Sequence, residues 1–286
     1  MKKKIIVLGC NHSQIPYIKE LKKKYFIIGC DKNKNAPGKK FVDIFYTCAY
    51  DNLKILKKIC LLNKDIEIVF SASSQFSIIG VSHCKKILNK DYIDNKACKI
   101  ILNKHKFYNY LKNNKINYPK TTTIKNKKEL KNKIVKDINY YLKSDHSKNP
   151  NYIYSGKVND FIEKVNWKKD RYFKKHYVLQ EEIIGKNIRV NVVNKKLVFF
   201  DFFKQKKLNK KDLGKFNCKQ LEENILYICK DLGVSEYIVK FDIIINYENY
   251  YFLDIGIDPP YRLKKYFDKN KRNFYRFYIN HIIYQK

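Results

Sequence analysis

Arginine is nearly missing from this chain: of its 61 basic residues five are Arg and the rest are Lys. Arg is the residue favoured for bidentate contacts to phosphates and base edges. A formal charge of +34 built almost without it argues against a dedicated nucleic-acid groove and for a solvated lysine surface. The lysines are also spread along the chain amid abundant Asn, Ile, Tyr and Phe, all residues with AT-rich codons. Glycine is scarce too, nine in 286 residues, and Gly9 stands alone after the first apolar run. Without GxGxxG a dinucleotide site is not indicated, which speaks against an NAD-linked oxidoreductase. The eight cysteines form no CxxC pair, and several sit in apolar runs. Buried free thiols in a reducing cytoplasm fit that spacing better than disulfides or zinc. Long apolar runs are missing as well, none approaching the ~18 residues of a membrane helix. The opening MKKKIIVLGC imitates a lipoprotein signal, but its apolar run from Ile5 to Leu8 is shorter than the ~7–15 residues a signal core needs.

What is present begins as an α/β pattern. Residues 3–8 read as a strand, followed by Gly9 and the loop Cys10-Asn11-His12-Ser13. Ser13 is placed to cap the next helix, where Ile15, Ile18 and Leu21 share a face. Tyr25 to Cys30 reads as a second strand ending at Asp31. Ile66 to Phe70 reads as a third, ending in Ser71-Ala72-Ser73-Ser74. Strand, helix and strand at this spacing predict a parallel sheet with ligands at the carboxyl ends of its strands. The length is enough for two or three subdomains.

The richest stretch is Tyr237 to Leu263, two strand-like runs joined by Asn246-Tyr247-Glu248-Asn249. Alternation puts Val239, Phe241, Ile243 and Ile245, with Tyr251, Leu253, Ile255 and Ile257, on a core face. Lys240, Asp242, Asp254, Gly256 and Asp258 fall on the other. If three or five residues close the hairpin, Asp242 faces Asp254. Two opposed carboxylates repel unless a hard cation such as Mg²⁺ sits between them. A solvated outer face with unrelated charges fits the same pattern.

A carboxylate on one strand and another twelve residues later on its hairpin partner resembles the metal-binding end of the ATP-grasp superfamily, which includes D-alanine–D-alanine ligase, biotin carboxylase and the glycinamide ribonucleotide synthetases. The usual second strand carries Glu, one residue, then Asn-Pro-Arg. Here the positions read Asp254, Ile255, Gly256, Ile257 and Asp258, so the acidic position survives, the Asn is missing, and Asp258 is its candidate replacement. Pro259, Pro260 and Arg262 follow. Upstream, Asn103-Lys104 resembles the family's first phosphate-binding lysine pair, and Asn139 to Lys143 (NYYLK) the strand that ends in the second. Gln180, Glu181, Glu182, Ile183, Ile184 and Gly185 resemble the hinge beside adenine, with Asn187 in the ribose-binding position and Arg189 and Asn191 on the same face. The stretch Ser144 to Asn151 lacks the Gly-rich loop usual there. GCNHSQIP, with Asp31 and Asn35-Ala36-Pro37-Gly38 after it, resembles the preATP-grasp domain that precedes the fold in relatives.

The resemblance implies an α/β and α+β architecture: a parallel-sheet preATP-grasp domain over 1–95, then two ATP-grasp subdomains over 96–176 and 177–286. Residues 266–284 would be a helix closing the last of them. It implies a ligase joining a small carboxylate to an amine through an acyl phosphate, releasing ADP. ATP would be held by Lys104, Lys143, Gln180 to Ile184 and Asn187, and Mg²⁺ or Mn²⁺ by Asp242, Asp254 and Asp258. Lys240 and Arg262 would serve the reaction, and His12, Ser13, Gln14, Ser73, Ser74 and Arg189 the substrates. A cytoplasmic enzyme with small-molecule partners follows, with no membrane partner and with a homodimer left open. Two alternatives remain at this stage: a protein of this fold that binds nucleotide or a ligand without turnover, and a basic nucleic-acid-binding protein.

Overall fold

The computed structural model describes residues 2–135, 138–145, 153–165, 177–204, 206–209, 213, 218–247 and 249–284. The first apolar run forms β1 (Lys3–Leu8). After it come α1 (Ile15–Lys22), β2 (Tyr25–Asp31), β3 (Ile44–Thr47), α2 (Leu53–Leu62), β4 (Ile66–Phe70) and α3 (Ile78–Ile87). The four strands make one parallel sheet in the order β3-β2-β1-β4. Ile5 through Leu8 are fully buried, as a central parallel strand is when helices cover both faces. α2 and α3 pack on one face and α1 on the other.

Two readings of this region need correction. The sheet has four strands rather than three, because β3 is a half-exposed edge and lacks the continuous apolar run of β1. The cap after β1 is Asn11, not Ser13. The Asn11 side chain accepts from the Ser13 N–H at 2.9 Å, and the Asn11 N–H donates to Gln14 Oε1 at 3.2 Å, the reciprocal pairing of a capping box. All eight cysteines are free and seven are buried. Burial pushes the Cys10 thiol up to about 12, which keeps it protonated and unreactive.

α4 (Asn95–Leu102) and α5 (Lys104–Asn113) lead to a second sheet. Its strands are β5 (Thr121–Ile124), β6 (Tyr140–Ser144), β7 (Ile153–Gly156) and β8 (Tyr177–Glu181), antiparallel in the order β5-β8-β6-β7. Tyr140 and Leu142 turn towards a core shared with Leu130 of α6 (Lys127–Lys133) and Phe161 of α7 (Val158–Phe161). Alternation therefore leaves Tyr141 and Lys143 on the opposite face.

The third sheet is antiparallel: β9 (Lys186–Val193), β10 (Lys196–Asp201), β11 (Lys207–Leu208), β12 (Val239–Asn246) and β13 (Asn249–Gly256), in the order β11-β10-β9-β12-β13. α8 (Cys218–Asp231) contributes Leu221, Ile225 and Ile228 to its core. Asp242 does face Asp254, but not because of a three- or five-residue loop. Asn246 pairs with Asn249, and the register shifts between Asp242 and Ile243, which pairs with Phe252. Leu253 is thus an extra residue, a β-bulge, and the alternation of β13 changes phase at it. Tyr250 and Phe252 are buried in the core and Tyr251 and Leu253 are half-buried, the reverse of the sequence reading for those four positions.

The closing segment is two helices, α9 (Tyr261–Lys269) and α10 (Phe274–Tyr284). Rather than capping the third sheet alone, α10 reaches the first one. Tyr278 lies edge-on to Tyr17 at 5.4 Å and to Phe70 at 6.2 Å, and Arg276 pairs with Glu20 at 3.1 Å. One apolar cluster accordingly joins residues of α1, β1, β10 and α10. Among the described residues no helix is long and apolar enough to cross a membrane.

Candidate active site

Between the second and third sheets lies a cavity of about 340 Å³. β12 and β13 present Lys240, Asp242 and Asp254 to it, β9 presents Asn187 and Arg189, α5 presents Lys104 and β6 presents Lys143. Each placement has a local cause. Asp242 sits between Asp254 on one neighbouring strand and Arg189 on the other. Arg189 forks onto its carboxylate at 2.6 and 2.7 Å, the bidentate geometry that suits guanidinium, and stacks over the Phe202 ring at 5.2 Å. Lys104 opens α5 and reaches Asp254 at 3.2 Å. Asn103 caps that helix, and Asp145 fastens it by accepting from the Asn103 side chain at 2.7 Å and from the His105 N–H at 2.8 Å.

Lys143 donates to Gln180 Oε1 at 2.8 Å. Burial, helped by the neighbouring Lys104 charge and opposed by Asp254 and Asp242, lowers its ammonium to about 8. The three carboxylates at this end of the third sheet each hold a cation: Asp242 with Arg189, Asp254 with Lys104, and Asp258 with Lys240 at 2.5 Å.

The expected hinge follows β8. Glu181 pairs with Lys120 at 2.9 Å, and Glu182 accepts from Asn139 at 2.9 Å and Tyr141 at 3.1 Å. Both carboxylates are turned to neighbours, while Ile184 is 83 % exposed. Gly185 is required by close approach, since a Cβ there would lie 2.3 Å from Ile245 O.

A second cavity, of about 620 Å³, opens at the carboxyl ends of β1, β2 and β4. Ser13, Gln14, Ser73 and Ser74 line it, as do Asp31, Tyr50 and Asp258. His12 does not. Arg189, expected with the substrate residues, lies instead in the smaller cavity among the metal candidates. Arg262 is the second residue of α9, but its side chain lies outside the described residues, as do residues 146–151 of the stretch without a Gly-rich loop. The sequence reading missed Phe202, Asp145 and Tyr108. The Tyr108 hydroxyl donates to Leu253 O at 2.8 Å and so ties α5 to β13. An N-cap Asn followed by lysine was the one sequence signal near them.

Among the described residues no three His, Cys, Asp or Glu side chains gather into a metal cage. Two opposed carboxylates with Lys104 and Lys143 beside them nonetheless suit Mg²⁺, which takes one or two carboxylates and completes its shell with phosphates and water.

No family model matches the chain and no curated protein matches its sequence. Solved structures do. N5-carboxyaminoimidazole synthetase from Staphylococcus aureus, complexed with ADP, matches at a TM-score of 0.70 and 12 % identity, over 100 % of this chain and 79 % of that one. L-amino acid ligase from Bacillus licheniformis matches at 0.69 and 12 %, over 99 % and 74 %. D-alanine–D-alanine ligase from Bacillus anthracis, complexed with ATP, matches at 0.63 and 15 %, over 99 % and 96 %.

Proposed function

Since this chain has the ATP-grasp fold, we propose that it is an ADP-forming ligase that binds Mg-ATP in the smaller cavity and joins a small carboxylate to an amine. The observation that carries this reading is the convergence of Lys104, Lys143, Asp242 and Asp254, from four separate elements, on that one cavity. Two of the similar ligases were solved with ADP or ATP.

Lys104 and Lys143 are the phosphate-binding groups, the 181–184 segment borders adenine, and Asn187 offers the ribose an amide. Asp242 and Asp254 are the carboxylates for Mg²⁺, which when bound neutralises charge on the transferring phosphoryl group. In the free cleft Lys104 and Arg189 shield the two carboxylates; an entering triphosphate would draw Lys104 from Asp254 and leave its oxygens open as donors to Mg²⁺. In the reaction, the substrate carboxylate takes the γ-phosphoryl group and ADP leaves. The amine then displaces phosphate from the acyl phosphate. The protein supplies position and fixed charge rather than a nucleophile.

The direct test is titration with a non-hydrolysable ATP analogue in Mg²⁺. Heat of binding at micromolar to millimolar nucleotide is expected; none at millimolar would remove the reading. A pH dependence accompanies it. Lys143 carries its charge below about 8 and loses it above, so analogue affinity falls as pH rises through 8. Bound phosphates favour the ammonium, so binding at pH 8.5 draws a proton from the buffer. Calorimetry in two buffers of different ionisation enthalpy reads that uptake, and Lys143→Met is expected to abolish it. Uptake unchanged in Lys143→Met would assign the proton elsewhere.

A further inference from the structure

Gln75, in the turn after β4, is 4 % exposed. Its Nε2 donates to Ile101 O at 2.5 Å and to Ile255 O at 3.1 Å. Two carbonyl partners fix which end of the amide is nitrogen. Its Oε1 is buried and has no hydrogen-bond partner, a desolvation cost that a ligand bearing an N–H would recover.

That oxygen looks onto Gly256. A Cβ built there would lie 3.1 Å from Gln75 Oε1, 3.1 Å from Asp258 Oδ1 and 2.4 Å from Lys240 Cε. Two acceptor oxygens from distant parts of the chain therefore meet over a residue with no side chain. An alkylammonium already reaches the place, since Lys240 Nζ donates to Asp258 Oδ2 at 2.5 Å. The place lies between the two cavities: Gly256 and Lys240 line the smaller, Asp258 lines the larger, and Gln75 lines neither but shares a small adjoining cavity of about 30 Å³ with Ser73, Ser74, Lys85 and Asp258. The larger cavity also reverses the charge of the chain. Asp31, Asp51 and Asp258 stand on its wall against Lys32, its one basic residue among those described, although basic residues outnumber acidic ones 61 to 27 overall.

We propose that the acceptor substrate is a cationic alkylamine, that its nitrogen replaces the Lys240 ammonium between Gln75 Oε1 and Asp258, and that Lys240 vacates the place when nucleotide phosphates enter the cleft. This rests on the ligase reading above and specifies which substrate the larger cavity takes. Phosphorylated acceptors are disfavoured there by the carboxylates. Because one lysine serves both cavities in turn, nucleotide and amine binding are coupled, and the coupling is reciprocal.

The test is a titration of ¹⁵N-labelled full-length protein with ethylammonium chloride, with and without Mg²⁺ and the ATP analogue, against sodium chloride at equal ionic strength. The Gln75 side-chain amide signals report the site in the unmodified protein, and the backbone amide signal of Gly256, which lies beside Gln75 Oε1 and Asp258, reports it there and in every variant. Ethylammonium is expected to bind at least ten-fold tighter with nucleotide present, and inorganic phosphate to leave those signals in place. Nucleotide binding with no gain for ethylammonium, or phosphate binding in preference, overturns this inference alone. An analogue that shifts no signal overturns the ligase reading and this inference with it. Gln75→Leu and Gln75→Glu both lose the Nε2 clamp, but only Glu keeps an acceptor oxygen. Ethylammonium affinity is expected to fall at least ten-fold in the first and to persist in the second, with analogue affinity unchanged in both. Equal losses in the two variants would make Gln75 a structural clamp only. Should neither fold, Asp258→Asn is expected to show the same ten-fold loss, and an unchanged affinity there is the overturning result.

Discussion

Asp254→Asn is expected to lower substrate-dependent ADP formation by at least two orders of magnitude while leaving the fold intact. The substitution keeps shape and removes one charge. Asp254 is partly exposed to the cleft, faces Asp242 across the bulged hairpin and holds Lys104 at 3.2 Å, so the proposed cation donor and the lysine's anchor are altered together. Removing one preorganised electrostatic contact of this kind costs roughly 100- to 1000-fold in turnover, about 2.7–4 kcal/mol. Mn²⁺ binding in the presence of the ATP analogue, followed by electron paramagnetic resonance, gives a second readout that does not need the substrates. Full activity together with undiminished Mn²⁺ binding in the variant would remove Asp254 from the metal set.

The other large effect lies in the core behind that site. Phe252→Ala is expected to cost about 3–5 kcal/mol of stability, the range for deleting a buried aromatic ring. Phe252 is fully buried, edge-on to Phe241 at 5.5 Å and to Tyr250 at 5.9 Å. Tyr251, its neighbour, is half-buried and its replacement by Ala is expected to cost about 1 kcal/mol, near the centre of ordinary substitutions. The pair tests the phase of β13, because unbroken alternation from Asp254 would place Tyr251 in the core and Phe252 outside. Urea denaturation of both variants decides, and a Tyr251→Ala loss as large as that of Phe252→Ala would contradict the bulge. Domain stabilities of 5–15 kcal/mol are typical, so the expected loss is a large fraction of the whole.

Much of the first sheet was legible because its strands are short, nearly continuous apolar runs bounded by turn residues, the trace that burial on both faces leaves. β1, β2 and β4 were found for that reason, and β3 was missed because an edge strand need not be apolar. Lys104 and Lys143 were placed by order and spacing within a resemblance, not by composition, since 56 lysines make any one of them unremarkable as a signal.

The sequence by itself determined that Lys240, Asp242 and Asp254 share the face of the 239–256 hairpin opposite Phe241, Ile243 and Ile255. Alternation is a local property of the backbone and needs no partner to be read. Tertiary structure alone decided the rest. The bulge at Leu253 depends on how β12 and β13 settle against α5, where the Tyr108 hydroxyl takes Leu253 O. Arg189 met Asp242 because β9 pairs beside β12, a neighbour relation that strand composition does not specify. Gln75 met Ile255 across 180 residues of chain, and Gly256 and Asp258 with it, and α10 crossed to the first sheet because the flank of Tyr17 and Phe70 offered aromatic surface to cover. Contacts of that kind are selected by packing and desolvation over the whole molecule, so no window of sequence records them.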